Sequence, residues 1–293
     1  MTNKASDTGG TRNRLGRRLA VAALPLALAL VTAPSAAKAA APDDGPTASA
    51  AGNARGNPRA FAFLSRSKPT DPIARWNPCK PINYRVNLDR SRAGALKDVK
   101  GAIQRIHQAT GLRFVYRGAT KVIPDAKRGY PGRYPADTDL VIAWASPGKH
   151  STQIPKNAGR LAGRGGAAYL AAYTGTGERT AMYVKGLVVL NAAMRLPAGF
   201  GAGDRSGTRG QLLMHEIGHA VGLAHPRIND KKQIMYPVIL RKTAVWGAGD
   251  LNGLRALGRS RGCLYLQNPA AASISSRPHD DHGGTPRGSF VLP

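Results

Sequence analysis

Residues 215–225 read His-Glu-Ile-Gly-His-Ala-Val-Gly-Leu-Ala-His, a string that ties the chain to one local geometry. Leu212, Leu213, Ile217, Ala220 and Val221 supply an apolar side at helical spacing. Thr208, followed three places later by Gln211, offers a capping box at the start. On such a helix His215 and His219 stand four residues apart, one turn above the other on one face. Gly222 lacks a Cβ, can enter the left-handed region and so ends the helix. The chain then turns back and brings His225 toward the same point.

Three imidazoles converging on one point suit a zinc ion, which sits ~2.0–2.1 Å from each ligand nitrogen and keeps a fourth position open in catalytic sites. His215, His219 and His225 are therefore the candidate ligands and one catalytic Zn2+ the expected cofactor. Three neutral ligands leave the ion's charge undiminished, which lowers the pKa of a bound water from ~15.7 toward ~7. Glu216, one step round the helix, cannot share the histidine vertex but can reach that water. It is the candidate general base, taking a proton as the water attacks a carbonyl and passing it to the leaving amine. The chain has only two glutamates, Glu178 and Glu216, and seven histidines. That one of the two lies between paired histidines argues against a chance arrangement.

Around this string the chain reads as one domain with tails. Arg12, Arg14, Arg17 and Arg18 precede an apolar run from Leu19 to Val31, and Ala37-Lys38-Ala39 offers a small-x-small cleavage site. Residues 1–39 are thus predicted to be a signal peptide and the protein to be secreted. The run falls short of the about 20 apolar residues of a membrane span, and no later segment is longer. Residues 40–75 are rich in Ala, Gly, Pro, Asn and Arg without periodicity, and read as a disordered leader or short pro-segment. Residues 267–293, including His279-Asp280-Asp281-His282, read as a disordered polar tail.

Between them, residues 76–266 mix strand and helix signals. Ile82 to Leu88 alternates as a strand. Ser91 or Asp89 is placed to cap the next helix, on which Leu96, Val99, Ile103 and Ile106 align up to Gly111. Leu112 to Tyr116, Leu140 to Ala145, Ala167 to Tyr173 and Met182 to Leu190 read as further strands, with 146–166 as a basic loop. A last helix, capped by Asp250 or Asn252, carries Leu251, Leu254 and Leu257. The predicted class is α+β, with a mixed sheet of about five strands and two long helices.

Cys79 and Cys263 are the only cysteines. In an oxidising compartment they read first as one disulfide; the other reading makes Cys79 a thiolate that blocks the metal in a latent form. The formal charge of +27 reads first as solubility and compositional bias, and otherwise as attraction to polyanions, with anionic cell-wall polymers or acidic substrates as the candidate partners. The basic residues are scattered rather than interleaved with aromatics, which argues against nucleic acid. A monomer is expected.

The eleven-residue string, with Ile234-Met235-Tyr236-Pro237 ten residues past His225, resembles the metzincin clan of zinc peptidases. Met-Tyr-Pro, the strand Gly186 to Asn191 and the last helix from Gly249 to Leu257 are similar to its matrixin-like branch, and the opening Trp76-Asn77-Pro78-Cys79 with the closing Gly262-Cys263-Leu264 resembles a bacterial secreted version of it. The resemblance implies a zinc-dependent endopeptidase acting on protein or peptide substrates, with Gly222 and Met235 supporting the site and Met235 forming an apolar floor without ligating the ion. It also implies a substrate lying antiparallel to an edge strand, for which Ala167 to Tyr173 is the candidate, and a pocket between the helix and Val238 to Lys242. The competing reading is a non-catalytic zinc-bearing protein that adheres to the cell wall. Glu216 separates the two, because a binding protein has no need of a carboxylate beside the metal's water.

Overall fold

The computed structural model describes residues 54–65, 71–125, 133–204, 206–267 and the backbone of 289–291. The signal peptide expected at 1–39 and the His279–His282 patch lie outside the described residues.

In chain order the elements are β1 (Ala62–Phe63), β2 (Ile82–Val86), α1 (Ala95–Thr110), β3 (Phe114–Ala119), β4 (Leu140–Ala145), β5 (Gly163–Thr174), β6 (Arg179–Asn191), α2 (Arg209–Val221), β7 (Leu223–Ala224), α3 (Ala248–Leu257), β8 (Leu264–Tyr265) and β9 (Ser289–Val291). The class is α+β, as expected, with three α-helices. The main sheet runs β3-β2-β4-β6-β5-β8, and β9 also pairs with β5. Strands β3, β2, β4 and β6 are parallel, whereas β5 is antiparallel to β6. Five long strands carry the sheet; the short β8 and β9 extend it to seven. No helix among the described residues is long and apolar enough to cross a membrane.

The central strand β4, Leu-Val-Ile-Ala-Trp-Ala, is buried at every position, as suits a strand covered on both faces. Its alternate side chains serve two cores. Leu140, Ile142 and Trp144 join the apolar sides of α1 and α2. Val141, Ala143 and Ala145 meet Tyr134 and Ile154 from the loops on the opposite face.

Helix α1 buries Val99, Ile103 and Ile106 and ends at Gly111, whose φ of 69° is left-handed. Its start differs from expectation. Neither Asp89 nor Ser91 caps it, because the chain makes a further turn and enters the helix through Gly94 at φ 75°. Asp89 instead pairs with Lys121, and the Ser91 hydroxyl donates to the Leu88 carbonyl. The acid of the first turn, Asp98, is buried and accepts from the Arg209 Nε at 2.7 Å, which ties α1 to the start of α2.

The reading of 40–75 as disordered is overturned for its described part. Ala60 is fully buried and Phe63 nearly so. The β1 strand pairs antiparallel with β7, Ala62 against Ala224 and Phe63 against Leu223. The Leu64 N–H donates to the Gly222 carbonyl, and the Ala248 N–H to that of Arg55. Two-residue strands with Phe spaced by Ala are too short to show a period, so this packing left no pattern in the sequence.

Cys79 and Cys263 are disulfide-bonded across a sequence separation of 184, so the latent-thiolate reading is excluded. The bond is flanked by Asn77, whose Nδ2 donates to the Leu264 carbonyl at 2.8 Å, and by Arg75, whose guanidinium donates to the carbonyls of Arg261 and Gly262. It therefore closes nearly the whole described domain, and chain entropy favours long loops most. Replacing both cysteines by serine is expected to lower stability by about 2–5 kcal/mol, read from urea unfolding followed by circular dichroism.

Candidate metal centre

The Thr208 hydroxyl accepts from the Gln211 N–H at the head of α2, so half of the expected capping box forms. All thirteen residues of the helix are buried. At its end Gly222 has φ 119°, and a Cβ there would lie 2.9 Å from the Tyr183 ring. Both backbone and space thus demand glycine at the turn toward His225.

The three predicted ligands come together. Nε2 of His215 lies 3.1 Å from that of His219 and 3.1 Å from that of His225, and the last two are 3.2 Å apart. The tautomers follow from the other ring nitrogens. His215 Nδ1 is 2.8 Å from the Ile234 carbonyl, and His219 Nδ1 is 2.8 Å from that of Leu223. A carbonyl only accepts, so each Nδ1 carries the proton and each Nε2 a lone pair. Burial pushes the His215 pKa down to about 4 and that of His219 well below its ordinary value, and it lowers His225 as well. All three rings are neutral at neutral pH. Lone pairs facing one another at this range repel unless a cation lies among them, and these three residues are placed to bind a metal ion.

Glu216 lies beside them, 5% exposed. Burial pushes its carboxyl up to about 8, opposed by Arg164 and by the Gly165 N–H that donates to it. Two glycines of β5 make room for it. A Cβ on Gly163 would stand 2.9 Å from Glu216 Oε1, and one on Gly165 only 1.9 Å from the Glu216 backbone oxygen. The sequence reading gave 163–166 to a loop; it is instead the first part of β5, kept bare so that the helix can lie on it.

Met235 is 1% exposed. A Cβ on Gly218 would meet its Sδ at 2.5 Å, so the thioether packs under the helix between the two ligand turns. The loop around it is held by Asp250, which accepts from the N–H groups of Ile234 at 2.5 Å, Met235 at 3.2 Å and Gly247 at 3.0 Å. Asp250 was expected only to cap the last helix. The helix instead starts after Gly247, with Asp250 as its third residue accepting the Gly247 N–H.

A cleft of about 440 Å³ opens over the histidines and Glu216, lined also by Gly163, Arg164, Leu212, Val238 and Ile239. The expected pocket wall is thus present at Val238 and Ile239 but does not extend to Lys242, whose Nζ donates to the carbonyls of Lys231 and Gln233. The strand expected to offer a free edge, Ala167 to Tyr173, is paired on both sides over much of its length. Ala167 to Tyr169 pair with β9, and Tyr173 with β8. The part of β5 that borders the cleft is Gly163-Arg164.

The fold and site together define an α+β protein with three histidines able to hold a metal ion beside a buried glutamate. No known protein family matches the chain in sequence, and no curated protein matches it.

Gly165→Ala is expected to cost about 1–3 kcal/mol through overpacking and to weaken metal binding by moving α2. Gly201→Ala, where a Cβ has nothing within 4 Å, should leave both unchanged. Denaturant unfolding and chelator competition on the two variants check this.

Proposed function

We propose that the chain is a secreted zinc-dependent endopeptidase of the metzincin type, matrixin-like, and that it hydrolyses peptide bonds with Glu216 as general base. The observation that carries the reading is the convergence of three imidazole nitrogens within 3.1–3.2 Å of one another beside a buried carboxyl group. A tetrahedral zinc with bonds of ~2.0–2.1 Å separates its ligand nitrogens by about 3.3 Å, close to the spacing found. Three nitrogen donors with no carboxylate or carbonyl among them suit zinc better than calcium or magnesium. The Met235 floor and the Gly222 turn are the further features of that type.

A zinc ion held there supplies Lewis-acid chemistry, lowering the pKa of a water and polarising a carbonyl. The chain's residues do the rest. Glu216 accepts the proton of the attacking water and returns it to the leaving nitrogen. Burial alone keeps its carboxyl protonated at neutral pH, whereas an adjacent dication favours the ionised form. Base function is thereby linked to metal occupancy. Gly165 orients the carboxylate through its N–H. Leu212, Val238 and Ile239 give the cleft an apolar wall that receives a substrate side chain and excludes water. The disulfide fits an oxidising compartment.

Glu216→Ala is expected to keep one zinc per chain, measured by atomic absorption, and to lose casein or gelatin hydrolysis by at least ~100-fold. The unaltered protein should lose activity to a strong chelator and regain it with added zinc. Near-normal turnover by Glu216→Ala would exclude the base role.

A further inference from the structure

We propose that Asp250 is a positioning residue for the metal, acting on His215 through the Ile234–Met235 peptide bond. Asp250 is fully buried and has no part in the chemistry assigned above. One of its oxygens, Oδ1, accepts from the Met235 N–H at 3.2 Å. The carbonyl of that same peptide unit is the Ile234 oxygen, which accepts from His215 Nδ1 at 2.8 Å. A trans peptide points its N–H and C=O in opposite directions, so carboxylate, amide and imidazole form one line of hydrogen bonds. The other oxygen, Oδ2, accepts from Ile234 and Gly247 N–H groups and holds the carboxylate in register.

The electronic consequence follows from the direction of the bonds. A carboxylate drawing on an amide N–H increases the negative charge on the amide oxygen, and hydrogen bonds in such chains strengthen one another. The His215 Nδ1–H then faces a stronger acceptor, and its Nε2 becomes a more basic ligand, as when a carboxylate contacts a ligand histidine directly. Among the described residues no carboxylate backs the acceptor of His219. Its acceptor is the Leu223 carbonyl, on a strand that pairs with β1. The two helix ligands are therefore inequivalent, and His215 is the stronger donor.

This inference rests on the histidines being metal ligands, so the test reads metal binding without activity. Zinc dissociation constants would be measured on the full chain by competition with a chromophoric chelator, beside thermal melting. Asp250→Asn is expected to bind zinc about tenfold more weakly. Leu251→Ala, on the same helix but outside the hydrogen-bonded line, should keep the original affinity. Equal affinity in Asp250→Asn, or an equal loss in both variants, overturns the proposal. No zinc binding by the unaltered chain overturns the metal-site reading itself. Should Asp250→Asn not fold, nitrogen-15 spectra of the unaltered zinc-loaded protein decide. The His215 Nδ1–H proton should resonate downfield of that of His219, and coincident shifts overturn the proposal.

Discussion

Three imidazole nitrogens held face to face are the constraint on which the rest of the structure depends. The Nε2 lone pairs of His215 and His219 repel one another at 3.1 Å, and nothing in those two rings themselves keeps them there. The backbone does so: each helix histidine is fixed by a carbonyl that takes its Nδ1 proton, one from the loop at Ile234 and one from Leu223 just past the helix. Position, tautomer and charge state are thereby set together. The surrounding elements can be understood by which of these anchors they hold.

Acids are scarce in the chain, 16 against 43 lysines and arginines, and several of them sit at junctions. Asp98 joins α1 to the head of α2 through Arg209. Asp230 accepts from the Asn57 and Lys232 N–H groups and from Gln233 Nε2, fixing the leader to the loop beyond His225. Asp250 gathers the methionine loop onto α3. These carboxylates accept mainly from backbone N–H groups rather than from the many surface cations. Exposed ion pairs contribute little to stability, whereas buried charge-assisted bonds to backbone specify geometry.

Much of the site was legible because its information is local. The His-Glu-x-x-His spacing, the Gly222 turn and the Met235 loop each depend on residues close in sequence, and helical periodicity then places them. Helix α1 and strand β4 were readable for the same reason, one from its period and the other from a continuous apolar run. What escaped is relational. Gly163 and Gly165 look like loop residues until the helix they accommodate is known. Asp250 looks like an ordinary cap until the loop it holds is in view. The burial of Phe63 needs a partner strand 160 residues away. Ala167 to Tyr173 read as an edge strand because pairing of β5 with β8 and β9 cannot be inferred from β5 alone.

The pairing of β1 with β7 bears on where the folded domain must be taken to start. Residues 223 and 224 are the short bridge between the glycine that ends α2 and His225, and the segment around Phe63 is stitched to that bridge. Composition alone sets the domain's first residue near Trp76. A recombinant chain trimmed to that point would retain every ligand, yet His225 would hang from an unsupported hairpin. Residues 54–65 are therefore a clasp on the turn that carries His225 rather than a dispensable prelude.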